Sequence, residues 1–490
     1  METIKIYLVV ITTIFNCAWA FRFPRNVGVV VVHPPSKFDI RRAAGMTTGL
    51  RDIIALSSTM VDSPPPSSII AEDDLESSAS DRPFDWFKSW HPIVPVEFLD
   101  IERPHAFKLL GMDIVVWNDG PVGVDVDSHS NADIKSNPKS RCGNFLVRVV
   151  DGVLWVWPDV GEDSGLEAAL SPVPINNYEG ESISDERLWF GPWNFRELPY
   201  GHDYFIENVV DPAHVPVSHH NILGSRYSEQ TLHMETIQPL TKSGFGISVT
   251  SPLLPDVSST TTFTAPSQVL IKSPFGKMGA RQYLELYSSP SRPGFTNHVG
   301  RMVVVKDEST IMPNLLRQFM LPMPVWANHL LASLFLNQDA LFLHGQERAF
   351  TFTGKYRTTV PSNDSYAQNV LQTSSDRGVM LFRDWLSKFA HGHIPFRGDT
   401  TMPPTSKEAV FDVWNAHTRH CKYCLDALAR IRTARKLTFL ASALVATIRP
   451  RVLGTLGSTM TALGLSGLGL VLSKLIGMFY RFEFSHAENH

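Results

Sequence analysis

The sequence predicts an α+β protein tethered near its C-terminal end, on three observations. Five runs rich in β-branched and aromatic residues, 245–250, 260–264, 268–272, 282–287 and 298–306, follow one another across turn-bearing gaps, the pattern of an antiparallel sheet. After Pro313 an apolar run continues through Asn337 and reads as helix, with Asp339 in its continuation. Residues 452–473 contain no charge and are rich in Leu and Gly, a length that reaches across a bilayer as a helix. A chain of 490 residues has room for two domains and for targeting and anchoring segments besides. Its formal net charge of −4 and the lack of a long basic run remove electrostatic support for nucleic-acid binding, so an apolar partner is expected.

Taken in chain order, residues 1–20 read as a signal peptide: Lys5, an apolar run over 6–15, then Ala18-Trp19-Ala20. The following stretch begins at Phe21 and carries Lys37, Arg41, Arg42 and Arg51 against Asp39 and Asp52. It resembles the second half of a bipartite plastid presequence, so 21–82 is assigned as a transit-like segment and linker. Pro64-Pro65-Pro66, a Ser-rich run and Glu72-Asp73-Asp74 cannot bury enough apolar surface to fold. Residues 83–160 hold short β-like runs, 114–117 and 154–157 among them, bounded by Asn, Asp and Gly turns. Residues 161–435 hold the expected sheet and the long helices that follow it, as a second unit. In the anchor, 436–481, a shorter apolar run over 437–448 and the break Arg449-Pro450-Arg451 precede the longer span, which suggests a membrane hairpin.

The run from Glu207 to His219 places Asp211, His214 and His219 at D-x2-H-x4-H spacing. Two imidazoles five residues apart can meet one ion where a helix kinks or passes into a loop. With one further carboxylate they would make a 2-His-1-carboxylate Fe(II) site, which leaves positions open for O2 and substrate. Asp211, one turn before His214, could hold an imidazole N–H.

The residues around this run carry a resemblance. Leu188-Trp189-Phe190-Gly191-Pro192-Trp193 and Arg196-Glu197-Leu198-Pro199-Tyr200-Gly201 lead into it. Further matches lie at 84–92 (Phe-Asp-Trp-Phe-Lys-Ser-Trp-His-Pro), 136–140, 152–159, 337–339 and 417–424. Together they resemble the pheophorbide a oxygenase and chlorophyllide a oxygenase group of Rieske-type non-haem iron oxygenases over most of 84–480. The resemblance implies a helix-grip (START-like) catalytic domain with an antiparallel sheet around an apolar pocket, preceded by a truncated Rieske-like β domain. It implies mononuclear Fe(II) held by His214, His219 and Asp339, with Glu347 as the fallback carboxylate and His344 nearby in the core or behind the ligands. Asp211 would link the iron to a Rieske cluster on a neighbouring subunit, hence a homo-oligomer. The implied partners are O2, a lipophilic tetrapyrrole derived from chlorophyll, a ferredoxin-like electron donor and a plastid membrane. The aromatic residues Trp189, Phe190, Trp193 and Phe195 read as core, or as lining for the pigment.

Cysteine usage departs from the family. A Rieske [2Fe-2S] cluster needs C-x-H and C-x2-H pairs, and neither occurs among Cys17, Cys142, Cys421 and Cys424. Asp127 stands two residues before His129 where a Cys is needed, and Phe145 follows Cys142 where a His is needed. A non-catalytic pigment- or iron-binding membrane protein is therefore the alternative to an oxygenase. Cys421 and Cys424 form C-x2-C, able to close a disulfide or ligate metal. The family resemblance reads them as an exposed, reversible redox dithiol beside the anchor; a Cys2His2 site using the adjacent His417 and His420 is the other possibility.

Overall fold

The computed structural model describes residues 83–118, 124–127, 145–176, 188–220, 225–227, 231–251, 254–274, 280–306, 323–352, 373–448 and 450–483. The presequence assignments over 1–82, and His129, Cys17 and Cys142, lie outside the described residues.

Two small antiparallel sheets open the chain. The first has the order β1-β6-β5, from β1 (His91–Pro95), β5 (Leu146–Val150) and β6 (Val153–Trp157); the second runs β2-β3-β4, from β2 (His105–Leu109), β3 (Met112–Asn118) and β4 (Val124–Asp127). The β2–β3 and β5–β6 hairpins each turn on two residues with positive φ, Leu110-Gly111 at 51° and 81° and Asp151-Gly152 at 51° and 74°. Such loops match the twist of paired strands, and a glycine in the second place accepts that backbone without a Cβ penalty.

The central sheet has eight antiparallel strands: β7 (Leu188–Phe190), β8 (Asn194–Leu198), β9 (His233–Thr241), β10 (Gly244–Ser251), β11 (Leu254–Thr264), β12 (Gln268–Pro274), β13 (Ala280–Arg292) and β14 (Phe295–Lys306). Their order is β7-β14-β13-β12-β11-β10-β9, and β8 also pairs β14, along Thr296–Gly300, while β7 takes Val303–Val305. All five strands expected from composition are present, most of them longer than expected. Three more, β7, β8 and β9, were not expected. Most of β9 is exposed and it contains Glu235 and Pro239, the composition of a protected edge strand that carries little apolar signal.

The helices are α1 (Ser164–Leu170), α2 (His202–Val209), α3 (Val215–Ser218), α4 (Val325–Phe352), α5 (Arg377–Phe389), α6 (Lys407–Phe411), α7 (Lys422–Ile448) and α8 (Pro450–Met478). A 3-10 turn, Pro212–His214, precedes α3, and a π turn, Trp414–Thr418, precedes α7. One continuous hydrophobic core joins the layers: Trp155 and Trp157 of β6, Phe245 and Phe263 of the sheet, Phe205 of α2 and Trp385 of α5 belong to it. Arg301 of β14 ties the sheet to the β5–β6 turn by pairing with Asp151, and reaches Glu285 of β13 at 2.7 Å. Ser289 Oγ of β13 donates to the Pro92 carbonyl of β1 at 2.7 Å.

Helices α7 and α8 form an antiparallel hairpin. Ser442 Oγ donates to the Ala462 carbonyl at 2.7 Å and meets Ser466 Oγ at 2.9 Å, and Phe439 packs over Gly469. Gly454–Met478 is long and apolar enough to cross a membrane, by length and composition. Gly454 itself has φ 70° and ψ 163°, which separates the first turn of α8 from the span.

Candidate metal centre

Local sequence determines how the first two ligand candidates are presented. Pro212 starts the 3-10 turn, since its missing N–H costs nothing at a helix beginning, and the Asp211 carboxylate caps that turn by accepting from Ala213 N–H at 2.9 Å. The chain then passes through the single turn of α3 and leaves helical geometry at His219. This break lets both rings face one point. The third candidate, Asp339, comes from the middle of α4, where Asn337, Gln338 and Asp339 are all buried.

The structure brings His214, His219 and Asp339 together, their ligand atoms within 4.8 Å of one another. His214 Nε2 lies 3.9 Å from Asp339 Oδ1, and His219 Nε2 lies 3.5 Å from Asp339 Oδ2. Both rings are held from behind. His219 Nδ1–H donates to Gln338 Oε1 at 2.8 Å, and His214 Nδ1–H donates to the main-chain carbonyl of Asp211. Each imidazole is thereby set to turn its Nε2 lone pair inward, the arrangement metal-bound histidines favour. Asp339 Oδ1 is buried without a hydrogen-bond partner. A carboxylate oxygen left bare in such a place fits a cation, and two imidazoles with one carboxylate fit Fe(II). The charge of the site points the same way. Burial opposes a proton on His219, but the hydrogen bond and charge of Asp339, helped by Gln338, outweigh it and raise the ring above its ordinary pKa. Tyr200, fully buried, is pushed far up by that burial and by the negative charge of Asp339.

The structure corrects the contact expected of the Asp211 side chain: its carbonyl, not its carboxylate, accepts from His214, while a carboxylate oxygen caps the turn. Glu347, the fallback ligand, is not in this cluster. It accepts from Gly201 N–H at 3.0 Å and pairs with Arg348 at 3.3 Å, which holds the start of α2 against α4. Its carboxyl is pushed up to about 8, by burial first and then by the Asp203 charge. His344 is structural: Nδ1–H donates to the Pro199 carbonyl at 2.6 Å and Nε2 accepts from Ser406 N–H at 2.9 Å. Trp193 and Phe195 are core residues, and Trp193 stacks its face against Arg301 at 4.0 Å.

Cys421 and Cys424 are both free and fully buried, against the expectation of an exposed dithiol. His417 lies beside them as expected, with Nε2 3.3 Å from Cys424 Sγ. His420 does not join them; its ring stacks on Phe107 at 4.9 Å and accepts from Arg419 at 2.9 Å. The fourth member is His329 of α4, which the sequence reading missed because it lies in an apolar helical run 88 residues from His417.

Comparison with known proteins bears on the family. A family model described as pheophorbide a oxygenase matches residues 263–356. Pheophorbide a oxygenase of Oryza sativa subsp. japonica, a chloroplastic protein, is 26% identical over 433 residues, covering 75% of this chain and 78% of that protein. The chloroplastic flavonoid 8-hydroxylase 2 of Ocimum basilicum is 23% identical, with 86% and 88% covered. The chloroplastic protochlorophyllide-dependent translocon component 52 of Arabidopsis thaliana is 23% identical, with 72% and 75% covered. Among solved structures, a mutant of Pseudomonas putida CBB5 NdmA with theobromine matches at 14% identity and TM-score 0.43, over 65% of this chain and 98% of that one, too remote to carry an argument. The similarity is to oxygenases of the Rieske-type non-haem iron class. Both the family model and these relatives support the resemblance to the pheophorbide a oxygenase family, with the Rieske cluster motif missing from this sequence.

Proposed function

We propose that this chain is a non-haem iron oxygenase acting on a chlorophyll-derived macrocycle at a plastid membrane. One observation carries the reading: His214 and His219 turn Nε2 toward the two carboxylate oxygens of buried Asp339, of which Oδ1 has no hydrogen-bond partner. Fe(II), when bound, supplies the activation of O2. The chain's own residues hold and orient. Gln338 and the Asp211 carbonyl fix the two rings, and Asp339 supplies the negative charge that draws a cation into a largely buried site. The central sheet with α4 is read as the helix-grip catalytic domain of the family.

The substrate class rests on the relatives named pheophorbide a oxygenase, and the plastid on the chloroplastic relatives. Membrane attachment is supported by the α7–α8 hairpin, whose outer face exposes Leu437, Leu440, Leu444, Leu456, Leu463 and Leu470. An apolar surface of that extent is covered by lipid or by protein, and a lipid setting places the enzyme where tetrapyrroles dissolve. Electrons would come from a ferredoxin-like donor, directly or through a cluster on another subunit, with Asp211 at the family's crossing point.

The test uses the full chain in detergent, loaded anaerobically with Fe(II) and given pheophorbide a, reduced ferredoxin and 18O2. Label in the macrocycle, with iron near one per chain and lost in His214→Ala and His219→Ala, is the expected result. Iron content unchanged in both variants would end the metal reading. The absence of Rieske ligands favours one second reading, a pigment- or iron-binding protein without turnover. Tight pigment binding with no 18O incorporation, even with excess reduced donor, would select it.

A further inference from the structure

We propose that His329, His417, Cys421 and Cys424 form a second metal site, a closed Cys2His2 site for one zinc-class divalent ion that fastens the helical hairpin to the catalytic domain. This inference does not rest on the iron site. The two are far apart along the same helix: His329 precedes Asp339 by ten residues of α4, roughly 15 Å of helix rise.

The geometry is that of a single tetrahedral ion. His329 Nδ1 lies 3.6 Å from Cys421 Sγ and 3.4 Å from Cys424 Sγ, and His417 Nε2 lies 3.3 Å from Cys424 Sγ and 3.0 Å from His329 Nδ1. All four ligand atoms fall within 4.8 Å of one another. Zinc bonded to sulfur at ~2.3 Å and to nitrogen at ~2.0 Å requires neighbouring ligand atoms roughly 3.3 to 3.8 Å apart. The sulfur–nitrogen distances fall in that range, and the two nitrogens are a few tenths closer. A Rieske cluster puts thiolates and imidazoles on different irons, which would spread the two sets. These atoms are interleaved instead.

The outer nitrogens are taken up by the backbone, which leaves the inner ones to serve as ligands. His329 Nε2–H donates to the Trp193 carbonyl at 3.0 Å, and His417 Nδ1–H donates to the Phe195 carbonyl at 2.6 Å. Each ring thus commits one N–H to a backbone carbonyl and turns its other nitrogen inward, the two inner nitrogens facing each other across 3.0 Å with the sulfurs alongside. Two lone pairs at that distance repel unless a proton or a cation sits among them. A disulfide between Cys421 and Cys424 would supply neither. Two thiol protons can serve, one to each ring; a divalent ion displaces both protons and binds two thiolates and two neutral imidazoles with no net charge. Neutrality matters because all four residues are buried, the cysteines completely, and a charged centre there would be costly. A redox dithiol alone needs two sulfurs and gives no reason for two histidines fixed from behind by backbone.

His329 comes from α4, His417 from the π turn, Cys424 from the first turn of α7 and Cys421 from the residue just before that helix. An ion there ties the helix bearing Asp339 to the first helix of the hairpin, and no coordination position remains for substrate, so its role is structural. Phe98 and Phe195 close over it, with ring centroids 4.8 Å from His329 and 4.5 Å from His417.

The test takes the full chain, purified in detergent under reducing conditions with zinc in the growth medium, and measures bound metals after dialysis against a weak chelator. One zinc per chain is expected. It should persist when His214 and His219 are both changed to Ala, and its affinity should fall at least about 100-fold in His329→Ala and in Cys424→Ser. Cys421 and Cys424 should resist maleimide until a strong chelator strips the ion. As a check independent of whether variants fold, Co(II) added to stripped wild-type chain should give tetrahedral ligand-field bands with sulfur-to-cobalt charge transfer. Lack of those bands in wild type overturns the proposal, as does iron with acid-labile sulfide in the site. Thiols that cycle between free and disulfide-linked without any metal would return the pair to a redox role.

Discussion

His219 is held by a single amide. Gln338 Oε1 accepts from its Nδ1–H at 2.8 Å, and Gln338 sits directly before Asp339 on α4, so one helix presents both a ligand candidate and the group that aims another. Gln338→Ala should leave all three ligand candidates in place yet weaken Fe(II) affinity by about 10- to 100-fold, measured by competition with a calibrated chelator, because the ring loses its fixed tautomer. Affinity equal to wild type would show that His219 needs no such support. Glu347 gives a second prediction. Its carboxyl is raised to about 8 in the folded chain against 4.5 ordinarily, by burial and then by Asp203. Between those values the folded chain keeps a proton that the unfolded chain has lost, so stability falls as pH rises through the window. Thermal unfolding in detergent should show a lower midpoint at pH 8 than at pH 6, and Glu347→Gln should flatten that slope. A slope identical in the variant would assign it to other groups.

At the scale of elements, the segment bearing the proposed ligands His214 and His219 depends on how α5 meets the end of α2. Gly378, in the first turn of α5, lies against the Val210 carbonyl, and a Cβ there would overlap that oxygen, a clash that only backbone movement relieves, and would crowd Ile247. Val210 precedes Asp211, so a push at this point is transmitted to the turn that carries His214. Gly378→Ala should cost about 1–3 kcal/mol of stability by overpacking, read from denaturant unfolding, and should lower iron occupancy as well. An unchanged midpoint would mean that α5 shifts freely away. Arg383 of the same helix reinforces the contact by pairing with the half-buried Glu207 at 2.6 Å.

For the whole molecule, the sequence lacks the cluster ligands that accompany the mononuclear iron site in the family it resembles. The chain contains neither a C-x-H nor a C-x2-H pair, so the protein isolated without oxygen should lack the reduced-state EPR signal of a Rieske cluster while still binding one ferrous ion. A Rieske signal at cluster stoichiometry would contradict the ligand accounting.

Much of the molecule was legible from residue order because the signals are local. The D-x2-H-x4-H spacing, five of the eight central strands, α4 around Asp339 and the long apolar span each declare themselves within a few turns or one strand length. Asp339 was reachable only through resemblance to a family, since nothing in residues 337–339 alone separates a ligand from a helix-face acid. Strands β7, β8 and β9 stayed hidden, the first two in a short aromatic stretch and the third in an exposed polar edge. His329 was hidden more deeply: a histidine in an apolar helix has no local mark of its partner. Only the tertiary structure, by crossing α4 with the start of α7, decided that His329 rather than His420 would meet Cys421 and Cys424. The same packing decided that those thiols would be buried. Spacing along a chain reports contacts within one turn or one hairpin; which distant turns meet is determined by how the core closes around them.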